Sequence, residues 1–251
     1  MLHQIKFSLF LLVVALIIGG GGSSNSKLFE SLAEGNIEPI IEPITSISEQ
    51  DINLYPNEEG VILKIGELQQ QMDWIYSTPR QIMPVVQVND YDLDDKEELA
   101  VVLHIGSGSG VAVEELHIVE FLDASGTTVQ PFIDHNFESE KYMKLLRQSI
   151  GFNKIDKDGE LFGQIRLEGQ IYEVSMKDYQ KEYGLKKIGD ELGFGSIVHF
   201  GIENDILTFR AAIGFSIDGV AEPQYFGEIT AVVSYTSGEF MLEQYRFTPN
   251  L

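Results

Sequence analysis

The residues best placed to do chemistry are four acids in a ten-residue run, Asn89-Asp90-Tyr91-Asp92-Leu93-Asp94-Asp95-Lys96-Glu97-Glu98. Asp90, Asp92, Asp94 and Glu98 hold relative positions 1, 3, 5 and 9. On a tight loop, alternating carboxylates converge on one point, and hard oxygen ligands at that spacing suit Ca²⁺. A helical EF-hand would need glycine at position 6 and a bidentate Glu at position 12. Asp95 and Val101 stand there, so the loop is not an EF-hand. Four like charges in one turn destabilise it unless a cation or open solvent relieves them. A solvated acidic turn that binds nothing is the alternative reading. If Ca²⁺ binds, its expected role is structural: it clamps the loop so that the apolar run Leu99–Ile105 enters a sheet in register.

The same residues resemble the Asp-x-Asp-x-Asp-Gly-x-x-Asp/Glu loops of FG-GAP/VCBS-type repeats, in which the loop runs directly into a strand. That resemblance implies a fifth ligand, the backbone carbonyl at position 7, here Lys96. Asp95 replaces the family's glycine at position 6; aspartate adopts a left-handed conformation at modest cost, so the expected change is a weaker affinity. The acidic loop, the strand after it and Gly106-Ser107-Gly108-Ser109-Gly110-Val111 also resemble a group of uncharacterised bacterial lipoproteins and exported proteins. Gly195–Asp205 and Gly227–Phe240 match that group's C-terminal hairpins in outline, and the likeness runs from about Pro84 to the C-terminus. It implies an exported, non-enzymatic module with one calcium loop.

Other candidates carry less. Gly106–Gly110 is not a phosphate loop, because a Walker loop needs Gly-Lys-Ser/Thr and a Rossmann loop needs a following helix. With a turn centred on Gly108, His104 would face Ala112 and His117 would face Leu99, so the two histidines would not share a ligand. His199 and His135 read as isolated. Asp134-His135 lacks a serine in a recognisable nucleophile turn, and no HExxH or GxSxG motif occurs. Asp156–Glu160 reads as a plain type I turn. Trp74 with Tyr76, and Tyr225-Phe226, read equally as core packing or as the lining of a groove.

The 251 residues include 39 acidic and 17 basic side chains, a formal net charge of −22, and no cysteine. That charge argues against nucleic acid, whose binding relies on Lys and Arg neutralising phosphates, and against an anionic membrane surface. The missing cysteine removes disulfides, thiolate metal sites and thiol nucleophiles. The apolar fraction of 43% is enough for a sizeable core.

The chain begins with Lys6 in an acid-free stretch, then the run Phe7–Ile18, apolar but for Ser8, then Gly19–Gly22. This pattern predicts a secretory signal or a weak N-terminal anchor over residues 1–22, since a membrane span needs about 20 apolar residues. Leu16-Ile17-Ile18-Gly19-Gly20 resembles a lipoprotein leader but lacks the lipidated cysteine. Residues 23–60 are expected to form a tether. They hold a short helix at Lys27–Glu34 and the duplicate Ile37-Glu-Pro-Ile40 and Ile41-Glu-Pro-Ile44, whose prolines favour extended backbone. Residues 61–251 are expected to form one domain.

Within that domain, paired β-rich runs flank Gly106–Gly110, Glu168-Gly169, Asn204-Asp205 and Ser237-Gly238, which predicts four hairpins. Two short helices are expected, near Ser139–Gln148 and from Ser175 to Gly184, the second opened by a Ser175-x-x-Asp178 capping box. The expected fold is therefore mainly β (α+β): an antiparallel sheet of several hairpins, sandwich-like or single-sheet, with two short helices. The functional expectation is an extracytoplasmic, secreted or cell-surface-associated binding or structural module with one Ca²⁺ loop at Asp90, Asp92, Asp94, Lys96 and Glu98. Its expected associations are membrane tethering through the N-terminal apolar segment and an unidentified protein or envelope ligand. An extracytoplasmic carboxylate-dependent hydrolase, or an acidic subunit recognising a basic peptide, are the alternatives.

Overall fold

A computed structural model describes residues 42–122 and 130–250. The apolar leader and the helix expected at Lys27–Glu34 lie outside the described residues.

The described residues are mostly strand, with two short α-helices. β1 (Thr45–Ile47), β2 (Ile52–Asn57), β3 (Gly60–Ile65) and β4 (Leu68–Met72) form a four-stranded antiparallel sheet in sequence order. β5 (Val85–Asn89), β6 (Glu98–Gly108), β7 (Val111–Phe121) and β8 (Phe132–Asn136) follow. Helix α1 (Ser139–Ser149) leads into β9 (Gly151–Lys157), β10 (Glu160–Leu167) and β11 (Gln170–Ser175), a three-stranded sheet. After α2 (Lys177–Tyr183) come β12 (Ile188–Glu203), β13 (Ile206–Ile217), β14 (Gln224–Thr236) and β15 (Glu239–Pro249). The largest sheet runs β15-β14-β13-β12-β7-β6-β5, with β8 added on β7. Its pairings are antiparallel except for a short parallel contact between β12 and β7, at Ile197–Ala112 and Val198–Val113.

Two apolar clusters share β6. Ala100 and Val102 belong to one, which gathers the apolar side chains of β10 and β12–β15 together with Tyr142 and Leu146 of α1. Leu99, Val101 and Leu103 belong to the other, with Ile52, Leu54, Val61, Leu63 and Trp74. Alternate residues of a strand point to opposite faces. An unbroken apolar run is therefore what a strand covered on both sides requires.

The four expected hairpins form. In three of them both central turn residues have positive φ: Glu168 and Gly169 (49° and 73°), Asn204 and Asp205 (50° and 65°), and Ser237 and Gly238 (47° and 85°). These are the backbone values of type I′ turns, whose twist matches that of the flanking strands. Asp158 and Gly159 (56° and 84°) do the same and join β9 to β10. The acidic segment read as a plain type I turn is thus a hairpin turn, with the Asp156 carboxylate accepting the Gly159 amide at 2.9 Å.

Two other expectations change. The residues assigned to the end of a tether include β1 and β2, and Ile52 and Leu54 are buried. The boundary drawn at residue 60 therefore falls inside a sheet. The capping box on α2 does not form either. Ser175 is the last residue of β11, paired with Phe162, and its hydroxyl donates to Glu160 at 3.0 Å. Met176 takes the cap position without a side-chain bond.

Leu54 discriminates the two assignments of residues 42–60. Truncating a fully buried leucine loses transfer free energy and leaves a cavity, so Leu54→Ala is expected to destabilise the protein by about 3 kcal/mol in urea unfolding. A tether residue would give no measurable change.

Candidate metal centre

The acidic run is the loop between β5 and β6. Its first three carboxylates come from irregular backbone, and the fourth, Glu98, is the first residue of β6, paired on one side with Asn89. Asp90, Asp92, Asp94 and Glu98 each place a carboxylate oxygen so that all four lie within 4.8 Å of one another. At that separation each pair of charges repels by about 1 kcal/mol in water and about 3 at an effective dielectric near 20.

The loop compensates part of this with its own amides. Asp90 accepts the amides of Asp94 (3.1 Å) and Asp95 (3.0 Å), and Asp94 accepts that of Lys96 at 2.9 Å. Tyr91 donates its amide to Glu98 at 2.8 Å. Leu93 and Asp95 have φ of 62° and 68°, and these reversals let alternate carboxylates turn to one side. Asp95 at position 6 thus takes the left-handed conformation expected of it, without glycine.

Glu98 is the buried member, only 4% exposed. Burial raises its carboxyl above the ordinary glutamate value of 4.5; the Tyr91 amide opposes this, and Asp92, Asp90 and Asp94 add to it. Lys96 sits at the rim with its ammonium 3.2 Å from Asp94. The structure thus brings together the four acids picked out by spacing, and their proximity allows them to hold a metal ion.

Three further residues reach the same place from elsewhere in the chain. Glu120 on β7 is directly opposite Glu98. It accepts the Tyr235 hydroxyl at 2.5 Å and lies 3.3 Å from Nε2 of His135. Burial and then that bond to Glu120 raise the Tyr235 phenol, keeping it protonated as a donor. The Ser237 amide, in the β14–β15 turn, donates to Asp92 at 3.3 Å. Glu120, His135 and Ser237 line a cleft of about 310 Å³ beside the loop.

The expected histidine geometry is corrected. The hairpin turn is Ser109-Gly110, with Gly108 paired to Val111, and a bulge interrupts the ladder between His104 and Gly106. His104 therefore faces Glu114 rather than Ala112, and His117 faces Val101 rather than Leu99. His199 is not isolated either: its Nδ1 lies 3.2 Å from Glu114.

His135, also read as isolated, turns to Glu120, while its neighbour Asp134 points to the opposite face of the strand. Asp134 instead takes Nδ1 of His117 at 3.1 Å and the indole N–H of Trp74 at 2.7 Å. Burial lowers the His117 pKa, but the bonds to Asp134 and Glu115 outweigh it and leave the imidazole above its ordinary 6.5.

Compared with protein-family models, with curated proteins and with solved structures, the chain matches none.

Two pH dependences follow. A carboxyl whose folded pKa is raised makes the metal-free fold lose stability as pH climbs from 4.5 through the raised value. Glu98→Gln should therefore stabilise the metal-free protein at neutral pH and flatten that part of its stability–pH curve, measured by urea unfolding with EDTA present. The raised His117 contributes stability that is complete below pH 6.5 and lost above the folded value. Asp134→Asn should accordingly destabilise by about 2 kcal/mol in acid and by less in alkali, measured in the same way.

Proposed function

We propose that the chain is an exported, cell-surface-associated binding or structural module in which Asp90, Asp92, Asp94 and Glu98 hold one Ca²⁺, with the Lys96 carbonyl as a further ligand. The observation that carries this reading is the position of Glu98: a buried carboxylate grouped with three others, their oxygens within 4.8 Å of one another. Four carboxylates supply a hard, all-oxygen donor set, and the flexible coordination of Ca²⁺ accommodates an uneven loop better than the strict octahedron of Mg²⁺. The ion would neutralise the repulsion that the loop amides offset only in part. Its effect would be to fix where β6 begins. Export is supported by the apolar run Phe7–Ile18 and the small residues after it. Extracellular calcium is millimolar, so a dissociation constant near 10⁻⁴–10⁻³ M would suffice for occupancy.

Adding several millimolar CaCl₂ is expected to stabilise the protein by about 1 kcal/mol, which raises its melting temperature by about 2–4 °C, and EDTA should reverse the shift. Asp92→Ala and Asp94→Asn should each abolish the response while the far-ultraviolet spectrum stays that of a β-rich fold. A melting temperature indifferent to calcium would sink the metal assignment. Recovery of the expressed protein from the cytosolic fraction alone would sink the export assignment.

A further inference from the structure

A second cleft, of about 570 Å³, lies on strands β12–β15. In its ladder His199 pairs with Arg210, Arg210 with Thr230, and Thr230 with Arg246. Residues directly opposite on neighbouring strands project from the same face, so these four side chains form a line across the sheet, and all four line the cleft. Strands spaced about 4.8 Å apart put the Arg210 and Arg246 backbones about 10 Å apart, with Thr230 between them. Two long guanidinium side chains can converge over that hydroxyl.

The cleft shows further construction. The β14–β15 register breaks between Thr230 and Val232, where Gln244 takes a φ of 55° and lines the cleft. A non-glycine residue held left-handed in mid-strand is strained, and bulges of this kind re-aim side chains. His199 is anchored from behind: Glu114 holds its Nδ1 at 3.2 Å and accepts the Phe200 amide at 2.8 Å through its other oxygen. That leaves Nε2 of His199 to act. Burial pushes the Glu114 carboxyl up, yet His199 and the Phe200 amide bring it below the ordinary glutamate range, so it stays anionic and fixes the ring.

The charges divide by role. Glu228 lies 3.6 Å from Nε of Arg210, leaving that guanidinium's outer nitrogens, and Arg246 makes no ion pair among the described residues. In a chain with 39 acids against 17 bases, two arginines set in one line with a histidine concentrate cationic side chains locally, against Glu203 and Glu228 on the same cleft. Guanidinium forks match tetrahedral oxyanions in geometry as well as charge. Glu203 and Glu228, also on the cleft, are acceptors suited to ligand hydroxyls. The volume lies within the 300–1,000 Å³ range typical of small-molecule sites and exceeds what one phosphate fills.

We propose that this cleft binds a small phosphorylated, hydroxyl-bearing molecule, with Arg210 and Arg246 clamping the phosphate, Thr230 and His199 completing its donors, and Glu114 positioning His199.

The test is an NMR titration of the arginine Nε–Hε signals in EDTA-containing buffer, using glycerol 3-phosphate, inorganic phosphate and glycerol as probes. Glycerol 3-phosphate is expected to shift Arg210 and Arg246 saturably, inorganic phosphate to do so more weakly, and glycerol not at all. Arg246→Gln, which alters an exposed side chain, should weaken binding roughly tenfold or more with the melting temperature unchanged. The absence of a saturable shift, equal shifts at Arg80, Arg147 and Arg166, or undiminished binding by Arg246→Gln would each overturn the site. Inorganic phosphate binding as tightly as the ester would overturn the hydroxyl-bearing ligand.

Discussion

Everything in this fold hangs on β6 being covered on both faces. Most strands in an antiparallel sheet declare their register by alternation, because a slip of one residue would turn every apolar side chain to water. Leu99-Ala100-Val101-Val102-Leu103 has no such safeguard: both of its faces enter apolar clusters. A one-residue slip would bury the same kinds of groups. Its register must therefore be set at its ends. One end is the Ser109-Gly110 turn, backed by the bulge between His104 and Gly106. The other is Glu98, tied to the Tyr91 amide and placed opposite Glu120. The acidic loop thus stands where the strand has the least information of its own.

That arrangement explains why burying Glu98 is tolerated. A carboxylate at the edge of two apolar clusters is unfavourable unless it is hydrogen-bonded or compensated. The Tyr91 amide supplies one bond, and the raised pKa reflects how incomplete that compensation is. The same incompleteness makes the position responsive. A proton, an amide in place of the carboxylate, or a cation would each relieve it, and each would be read out as stability of the sheet.

Much of this was legible in the residues. Turn dipeptides such as Asn204-Asp205 and Ser237-Gly238 tolerate positive φ, and each marks a hairpin that forms. The four ligand candidates were visible because they lie within nine residues. β1–β4 were obscured because β2 carries Pro56 and β4 reads Leu-Gln-Gln-Gln-Met, so neither shows a clean apolar alternation. β9, Gly-Phe-Asn-Lys-Ile-Asp-Lys, is hidden by the same polarity. Glu120, His135 and Tyr235 could not be found near the loop, since only strand pairing brings them there. The histidine contacts depended on the hairpin register, and centring the turn on Gly108 rather than between Ser109 and Gly110 misassigned every cross-strand partner.

Strand β7 carries both of the chemistries set out above. Glu120 faces Glu98 and the acidic loop, while Glu114 faces His104 and holds His199 at the arginine cleft. Six residues of extended chain separate them by about 20 Å, twice the screening length at ordinary salt. At that distance the field of one site is largely lost at the other, and substitutions at the two should add rather than couple. The arginine line at Arg210 and Arg246 can thus coexist with an acidic loop on the same sheet. The net charge of −22 does not describe either location; what each can bind is decided by the groups within a few ångströms of it.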